Sequence, residues 1–306
     1  MINLFQTDIM AIKNLYSPLR YPGGKGKMSP FFKDVIETNN LRGCTYYELY
    51  AGGSAIALDL LLSNIVQQIV LNDADYHIYS FWNSVLNDTD NFLKKLKNCI
   101  VSIQSWKRHR NIYLDYTNHS ELDVGFSTFF LNRCNRSGIL TKAGPIGGIE
   151  QKGNYLINAR FNKKELIQRI NKIALRRKDI SVFNLDTLNF IQQFHEQLNN
   201  PTSFIYMDPP YYQKGGTLYL NHYSHQDHVN IANELEGMRN LKWIVTYDHV
   251  PEIENLYSTF RTTSFSLNYS LQKIRKAKEI MILSDNILLP SNFLLQANSN
   301  QLNMAV

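Results

Sequence analysis

Four consecutive residues, Asp208-Pro209-Pro210-Tyr211, carry the strongest chemical signal in the chain, because they directly follow an apolar run, Ser203–Met207, that reads as a strand. In an open parallel sheet, ligands bind just beyond the carboxyl ends of the strands, so this tetrapeptide stands where chemistry would occur. Its residue types suit making an exocyclic aromatic amine attack an electrophile. Such an amine is a poor nucleophile, since its lone pair is delocalised into the ring. A carboxylate and a backbone carbonyl that accept its two hydrogens favour the tetrahedral nitrogen that attacks. Asp208 offers the carboxylate, and two consecutive prolines fix φ so that Pro209 can aim its carbonyl inward. Tyr211 offers an aromatic face on which a base can stack. The plain alternative is a rigid strand-end turn, and the specificity of the four-residue pattern after an apolar strand weighs against it.

Two glycine turns lie upstream. In Glu48-Leu49-Tyr50-Ala51-Gly52-Gly53 a strand end again enters a helix through glycines, which let backbone amides approach a ligand closely. Twenty positions after Gly53, at the end of the next apolar run, stands Asp73, where an acidic residue can hold both ribose hydroxyls of a nucleoside. Ala57 and Leu58 occupy the place of the last glycine of a dinucleotide fingerprint, which argues against a nicotinamide enzyme. The other turn is Arg20-Tyr21-Pro22-Gly23-Gly24-Lys25. Lys25 can hold a carboxylate and Tyr21 can line a pocket for an adenine or a methionine. The spacing and the following Ser/Thr of a phosphate-binding lysine loop are missing, so an ATPase is excluded. Taken singly, either turn could equally be a structural one. The eight histidines, among them His222 and His225, lack metal-ligand spacing and read as polar loop residues.

The elements that must position these residues follow from periodicity. Thr45–Tyr50, Gln68–Asn72, Ile180–Asn184, Ser203–Met207 and Trp243–Tyr247 read as strands with helical stretches between them, which points to a parallel α/β sheet. Thr262–Asn268 and Glu279–Leu283 read as an antiparallel pair joined by the basic link Lys273–Lys276, making seven strands. Between the second and third strands lies a basic block. From Lys94 to Lys178 it holds 18 Lys and Arg against 5 Asp and Glu, leaving 14 basic and 21 acidic residues for the rest of a chain whose net charge is +6. One segment is thus built to meet a polyanion, unless it is simply a solvated basic face. Within it, Gly125–Arg133 and Lys163–Ala174 read as helices, Phe126, Phe129 and Phe130 as core, and the stretch with Gly144, Gly147, Gly148 and Gly153 as loop or hairpin.

The 306 residues, 44% hydrophobic and 19% charged, allow one large domain with an insertion. The division expected is a catalytic domain of residues 1–75 and 175–290, an insertion of 76–174 and a polar tail of 291–306. No apolar run approaches the roughly 18 residues of a membrane helix, and the N-terminus lacks a signal-peptide pattern. Cys44, Cys99 and Cys134 match neither a disulfide framework nor zinc spacing, so a reduced, cytoplasmic protein without metal is expected.

The three motifs occur in an order that resembles the D12 class of DNA adenine methyltransferases, the family of the Dam enzymes. The glycine loop Tyr21–Lys25, the strand end Glu48–Gly53, the pair Asn72-Asp73, the basic insertion and Asp208–Tyr211 follow one another over roughly residues 15–285. Leu131-Asn132-Arg133 with Ser137-Gly138 is similar to the family's DNA-facing segment. The resemblance implies a Rossmann-like, seven-stranded S-adenosylmethionine-dependent methyltransferase sheet with an inserted, mostly helical target-recognition domain. It also implies methylation of adenine N6 in double-stranded DNA on a base flipped from the helix. S-adenosylmethionine is then the cofactor, contacted by Tyr21, Gly23, Lys25, Glu48, Tyr50, Gly52, Asp73, Asp186 and Asp208, while Asp208, Pro209, Pro210 and Tyr211 hold the target adenine. Asn132, Arg133 and Arg136 would face DNA, with Arg136 reading a base and Arg133 serving structure or a phosphate. Two departures bear on the recognised sequence: Cys134-Asn135-Arg136 stands where Dam enzymes carry aromatic residues, and Tyr247-Asp248-His249 replaces Asn-His-Asp. A monomer is expected, with any cognate restriction endonuclease a separate protein. The rival readings are a ribosomal RNA base-amine methyltransferase and a non-catalytic DNA-binding module.

Overall fold

The apolar runs of the sequence lie side by side. The protein, seen in a computed structural model, is described over residues 2–3, 16–20, 25–212, 223–270, 274–291 and 293, by backbone alone at 2–3, 266–270 and 274–277. The strands are β1 Ile2–Asn3, β2 Thr45–Glu48, β3 Gln68–Asn72, β4 Ile180–Phe183, β5 Ser203–Met207, β6 Trp243–Asp248, β7 Arg261–Ser270 and β8 Ile274–Leu283. They form one mixed sheet in the order β1-β7-β8-β6-β5-β2-β3-β4. The seven expected strands are present, and the two-residue β1 runs parallel to β7 at the edge. The expected basic link is different: Ile274, Arg275 and Lys276 pair with Ser270, Tyr269 and Asn268 as part of β8. None of these three is a turn-former, and antiparallel backbone bonds continue whatever the polarity of the side chains.

Strand β2 has β3 on one side and β5 on the other, all parallel. The chain runs outward from β2 to β4 and then returns to the opposite side of β2 as β5. The order therefore reverses between β2 and β5, the place where an open sheet leaves a crevice at its carboxyl end. β8 runs antiparallel to β6 and β7.

Alternation along the strands divides the interior into two layers. Tyr46, Phe204, Tyr206, Ile244 and Met281 face one, with α1 (Ser29–Thr38) and α2 (Ala55–Leu62). Tyr47, Ile205, Met207, Trp243 and Val245 face the other, against helices of the carboxyl half. β5 and β6 are buried along their whole length, as central strands covered on both faces must be.

Between β3 and β4 come α3 (Tyr76–Asn87), α4 (Thr89–Asn98), α5 (Ile103–Leu114), α6 (Glu121–Cys134) and α7 (Lys163–Ala174). The last matches its expected bounds. α6 begins four residues earlier than expected because Ser120 caps it, accepting from Asp123 N, before the apolar pattern starts. α5 escapes a periodicity reading because its sequence, Ile-Gln-Ser-Trp-Lys-Arg-His-Arg, is mostly polar, and the Ser102 cap is its main local sign. Phe126, Phe129 and Phe130 are buried, and Phe81, Phe92 and Phe161 join them in the same apolar cluster as the sheet's first layer. All three cysteines are free thiols, and among the described residues no helix is long and apolar enough to cross a membrane.

α3 and α6 cross closely at Gly125, where a Cβ would press into the Ser80 carbonyl and stand 2.8 Å from Ser84 Oγ. In an isolated helix Gly→Ala gains about 1 kcal/mol. Here the main-chain clash reverses the sign: Gly125→Ala should lower the unfolding free energy by about 1–3 kcal/mol, as overpacking does. Denaturant unfolding checks this, and a variant as stable as the parent contradicts the close crossing.

Candidate active site

Asp208 follows β5 at the reversal crevice, and what surrounds it is polar and buried. Lys25, only 5% exposed, opens the turn that leads into α1. Its Nζ lies 3.2 Å from Asp208 Oδ1 and 3.0 Å from Oε2 of Glu279, a fully buried carboxylate on β8. The Tyr211 hydroxyl accepts from Lys25 Nζ at 2.6 Å and donates to Glu279 Oε1 at 2.7 Å. Thr246 on β6 donates to Asp208 Oδ1 at 2.8 Å. Since that uses the only hydrogen of Thr246, the Tyr206 hydroxyl 2.8 Å away must donate to Thr246. Burial, together with Glu279, raises the Asp208 carboxyl to about 6 despite the opposing ammonium of Lys25. Pro209 is buried and Pro210 half-buried. The chain after the motif is pinned from β6, where Asp248 accepts from Tyr212 N at 2.9 Å.

The second turn sits on the other side of the crevice. Gly52 adopts φ +44°, and its N–H donates to Asp73 Oδ2 at 2.8 Å. Asp73 Oδ1 accepts from Asp75 N at 3.0 Å. Burial and then Asp75 raise the Asp73 carboxyl to about 7 against these two amide bonds. Trp82 of α3 donates to the Gly52 carbonyl at 2.9 Å, which ties the turn to the insertion. Glu48 lies between the two aspartates. Burial holds its carboxyl well above the ordinary range, and Asp208 and Asp73 add to the shift. Ala57 N donates to it at 3.3 Å across the helix entrance.

Lys25, Glu48, Gly52, Asp73, Asp208 and Tyr211 thus converge on one crevice. Asp186 stands at the neighbouring strand end, exposed, and caps the following helix by accepting from Leu188 N at 2.9 Å. Tyr50 meets Tyr223, hydroxyl to hydroxyl, at 3.0 Å. Burial, with Asp186 nearby, raises the Tyr223 hydroxyl to about 12, so Tyr50, Tyr223 and Asp186 form one corner. Tyr21 and Gly23 lie outside the described residues, as does His222. His225 opens a helix, His225–Gly237, instead of lying in a loop, because Ser224 and Asp227 form a capping box there.

The insertion residues separate into distinct roles. Asn132, expected to face DNA, is fully buried. It accepts from Arg20 N at 2.7 Å and donates to the carbonyls of Arg20 and Gly138 at 2.9 and 3.0 Å. This corrects the sequence reading, since a side chain spent on these bonds presents nothing to a duplex. Asn132 instead fixes the segment that leads into the Lys25 loop. Arg133 donates Nε to the Arg160 carbonyl at 2.7 Å, and burial lowers its guanidinium to about 10, with Arg20 and Arg169 adding to the effect. Arg136 is exposed on a short hairpin, where Asn135 bridges Pro145 and Arg136 N donates to the Gly144 carbonyl at 3.1 Å.

Sequence reasoning missed Glu279, Thr246 and Tyr223. Glu279 is the one acid of β8 and opens its apolar half, Glu279–Leu283, but its partners lie on other segments. Tyr223 precedes the capping box, the position from which a residue packs back across a helix entrance. Thr246 has no sequence signal.

The residues present fit S-adenosylmethionine. Asp208 and Glu279 outnumber the Lys25 ammonium they share, and the buried carboxyls of Glu48 and Asp73 also line the crevice. Such a balance suits a ligand carrying a sulfonium and an ammonium, and Asp73 suits ribose hydroxyls. Among the described residues no group of three His, Cys, Asp or Glu could hold a metal ion.

The profile of the D12 class N6 adenine-specific DNA methyltransferase family matches residues 21–271. No curated protein sequence matches the chain significantly. Among solved structures, one similar chain is a candidate RNA methyltransferase from Pyrococcus horikoshii, at 9% identity and TM-score 0.38 over 92% of this chain and 93% of that one. Another is the rRNA methyltransferase aviRa from Streptomyces viridochromogenes, at 11% identity and TM-score 0.39 over 91% and 89%. At such identities and TM-scores neither bears on the reaction. The family match takes in Lys25, both strand-end turns, the insertion and Asp208–Tyr211, and the chain belongs to the D12 class of N6 adenine-specific DNA methyltransferases.

Proposed function

We propose that this chain methylates N6 of adenine at a specific sequence in duplex DNA, acting on a base turned out of the helix into the crevice beside Asp208. The observation that carries the reading is the half-exposed carboxylate of Asp208, fixed from below by Thr246 and flanked by Pro209 and Tyr211 at the reversal crevice. An amine buried in a base-paired stack cannot reach such a crevice, which is why the base must leave the helix. S-adenosylmethionine, when bound, supplies an electrophilic methyl on a sulfonium. The chain's own residues do the rest. Asp73 meets the ribose, Tyr50 and Asp186 border the adenosine corner, and Lys25 acts from beneath the ligand through Asp208, Glu279 and Tyr211, which take its three hydrogens. Tyr211 stacks on the target ring while Asp208 and the Pro209 carbonyl accept the two amine hydrogens. Asp208 also stabilises the positive charge that develops on N6, so positioning and electrostatics supply the acceleration.

Asp208→Ala should lower kcat about 100-fold or more, the usual loss when one preorganised charge contact to a transition state is removed. The pH dependence follows in sign. Asp208 at about 6 and Asp73 at about 7 act as carboxylates, so kcat/KM should fall as pH drops through that window and level off above it. Steady-state rates on a duplex oligonucleotide from pH 5 to 9 check both. Near-parental turnover in the variant, or a flat acid limb, counts against the role of Asp208.

The basic insertion supplies the DNA contacts in this reading, so affinity should fall linearly on a log–log plot against salt. Arg136, exposed on its hairpin, is placed to read a base edge, whereas Arg133 is occupied with the Arg160 carbonyl. Arg136→Ala should relax discrimination at one base position by about 10- to 100-fold, the range for losing a bidentate base contact. Methylation across a randomised-site library measures this. An unchanged methylated sequence together with unchanged affinity moves the recognition surface elsewhere.

A further inference from the structure

Asp208 is joined to Lys25, and a carboxylate paired one-to-one with an ammonium is a weak acceptor for a substrate amine. The structure holds a second carboxylate at the same ammonium: Glu279 Oε2 is 3.0 Å from Lys25 Nζ, slightly closer than Asp208 Oδ1 at 3.2 Å. Lys25 and Glu279 are also the charged groups whose fields act on Asp208. Glu279 lies across from Asp248 in the sheet and is fully buried, a position where an apolar side chain would be less demanding of the fold. Two carboxylates around one ammonium leave the cluster with one excess negative charge, with Lys25 and Glu279 buried and Asp208 partly open to the crevice. Glu279 Oε1 also accepts the hydroxyl of Tyr211, so the same side chain sets the tilt of that ring.

We infer that Glu279 is a positioning residue that divides the Lys25 ammonium, leaving the crevice anionic enough to select a cationic methyl donor and keeping Asp208 an effective acceptor. This rests on the cofactor reading above and adds a charge requirement to it. The sulfonium of S-adenosylmethionine carries a charge and a methyl that S-adenosylhomocysteine lacks, while the two ligands share all their other groups. The methyl contributes alike in parent and variant, so the change in the affinity ratio between them reports the charge of the crevice. Gln at position 279 keeps an acceptor for Tyr211 and removes the charge together with the oxygen that faces Lys25. In Glu279→Gln the Lys25–Asp208 pair becomes neutral.

The test is calorimetric titration of both ligands into the parent, Glu279→Gln, Glu279→Asp and the double variant Lys25→Met/Glu279→Gln, with thermal unfolding as the folding control. The preference for S-adenosylmethionine over S-adenosylhomocysteine should drop about tenfold or more in Glu279→Gln, the scale of one unscreened charge at short range. The double variant again carries one excess negative charge and should recover the parental ratio, even though Lys25→Met weakens both ligands. Glu279→Asp keeps the charge and should keep the ratio, while the broken Tyr211 contact slows turnover with little change in KM for DNA. Equal weakening of both ligands in Glu279→Gln, or loss of the ratio in Glu279→Asp, overturns the assignment. If Glu279→Gln does not fold, Lys25→Met alone decides it: two carboxylates without their ammonium should raise the ratio above the parental value, and an unchanged ratio overturns the assignment. A parent that binds neither ligand refutes the cofactor reading itself.

Discussion

The site depends on one buried ammonium held by two carboxylates from different parts of the chain. Lys25 comes from the turn before α1, Asp208 from the end of β5 and Glu279 from β8, so a single Nζ links three segments distant in sequence. Removing the ammonium strands two buried carboxylates, which costs far more than the net value of the pairing, whereas removing one carboxylate leaves a neutral pair. The ammonium therefore holds the arrangement together. Its excess negative charge is also the property that a cationic methyl donor can use.

The rest of the fold serves to bring these groups to one crevice. The order reversal between β2 and β5 opens the crevice, and the parallel register lays the ends of β2, β3 and β5 side by side. The insertion is tied into the same place at two points. Trp82 holds the Gly52 carbonyl, and Asn132 clasps Arg20, five residues before Lys25. Gly138 completes the second tie: at φ +77° it passes so close to the Arg20 carbonyl that a Cβ would overlap it. The segment between β3 and β4 is thus tied directly to the Gly52 turn and to Arg20, just ahead of the Lys25 segment.

Much of this was legible in the sequence because local pattern and tertiary role coincide there. The strands of the parallel sheet read as buried apolar runs, and Asp208–Tyr211 follows such a run, so motif and position could be read together. The hairpin β7–β8 was recognised but its tip was misplaced, since basic side chains were taken for a link. Asn132 was misjudged for a different reason. A polar residue in a DNA-facing motif invites a DNA contact, whereas burial decides what its amide does, and burial at that point depends on Arg20, 112 positions away. Glu279 and Thr246 act only through partners on other strands, and no window of sequence contains both ends of such an interaction. The helices α3 to α5 lay hidden because part of that segment is polar and the rest packs against α6 rather than against its sequence neighbours.

The central claim is that the crevice at Asp208 transfers a methyl group to adenine N6 in duplex DNA. It is tested most directly by incubating the protein with isotopically methyl-labelled S-adenosylmethionine and either random-sequence duplex DNA or ribosomal RNA. The nucleic acid is then digested to nucleosides and the labelled products identified by mass spectrometry. Label confined to N6-methyldeoxyadenosine from the duplex is the result expected. Label in ribonucleosides, on cytosine, or in no nucleoside at all would contradict it.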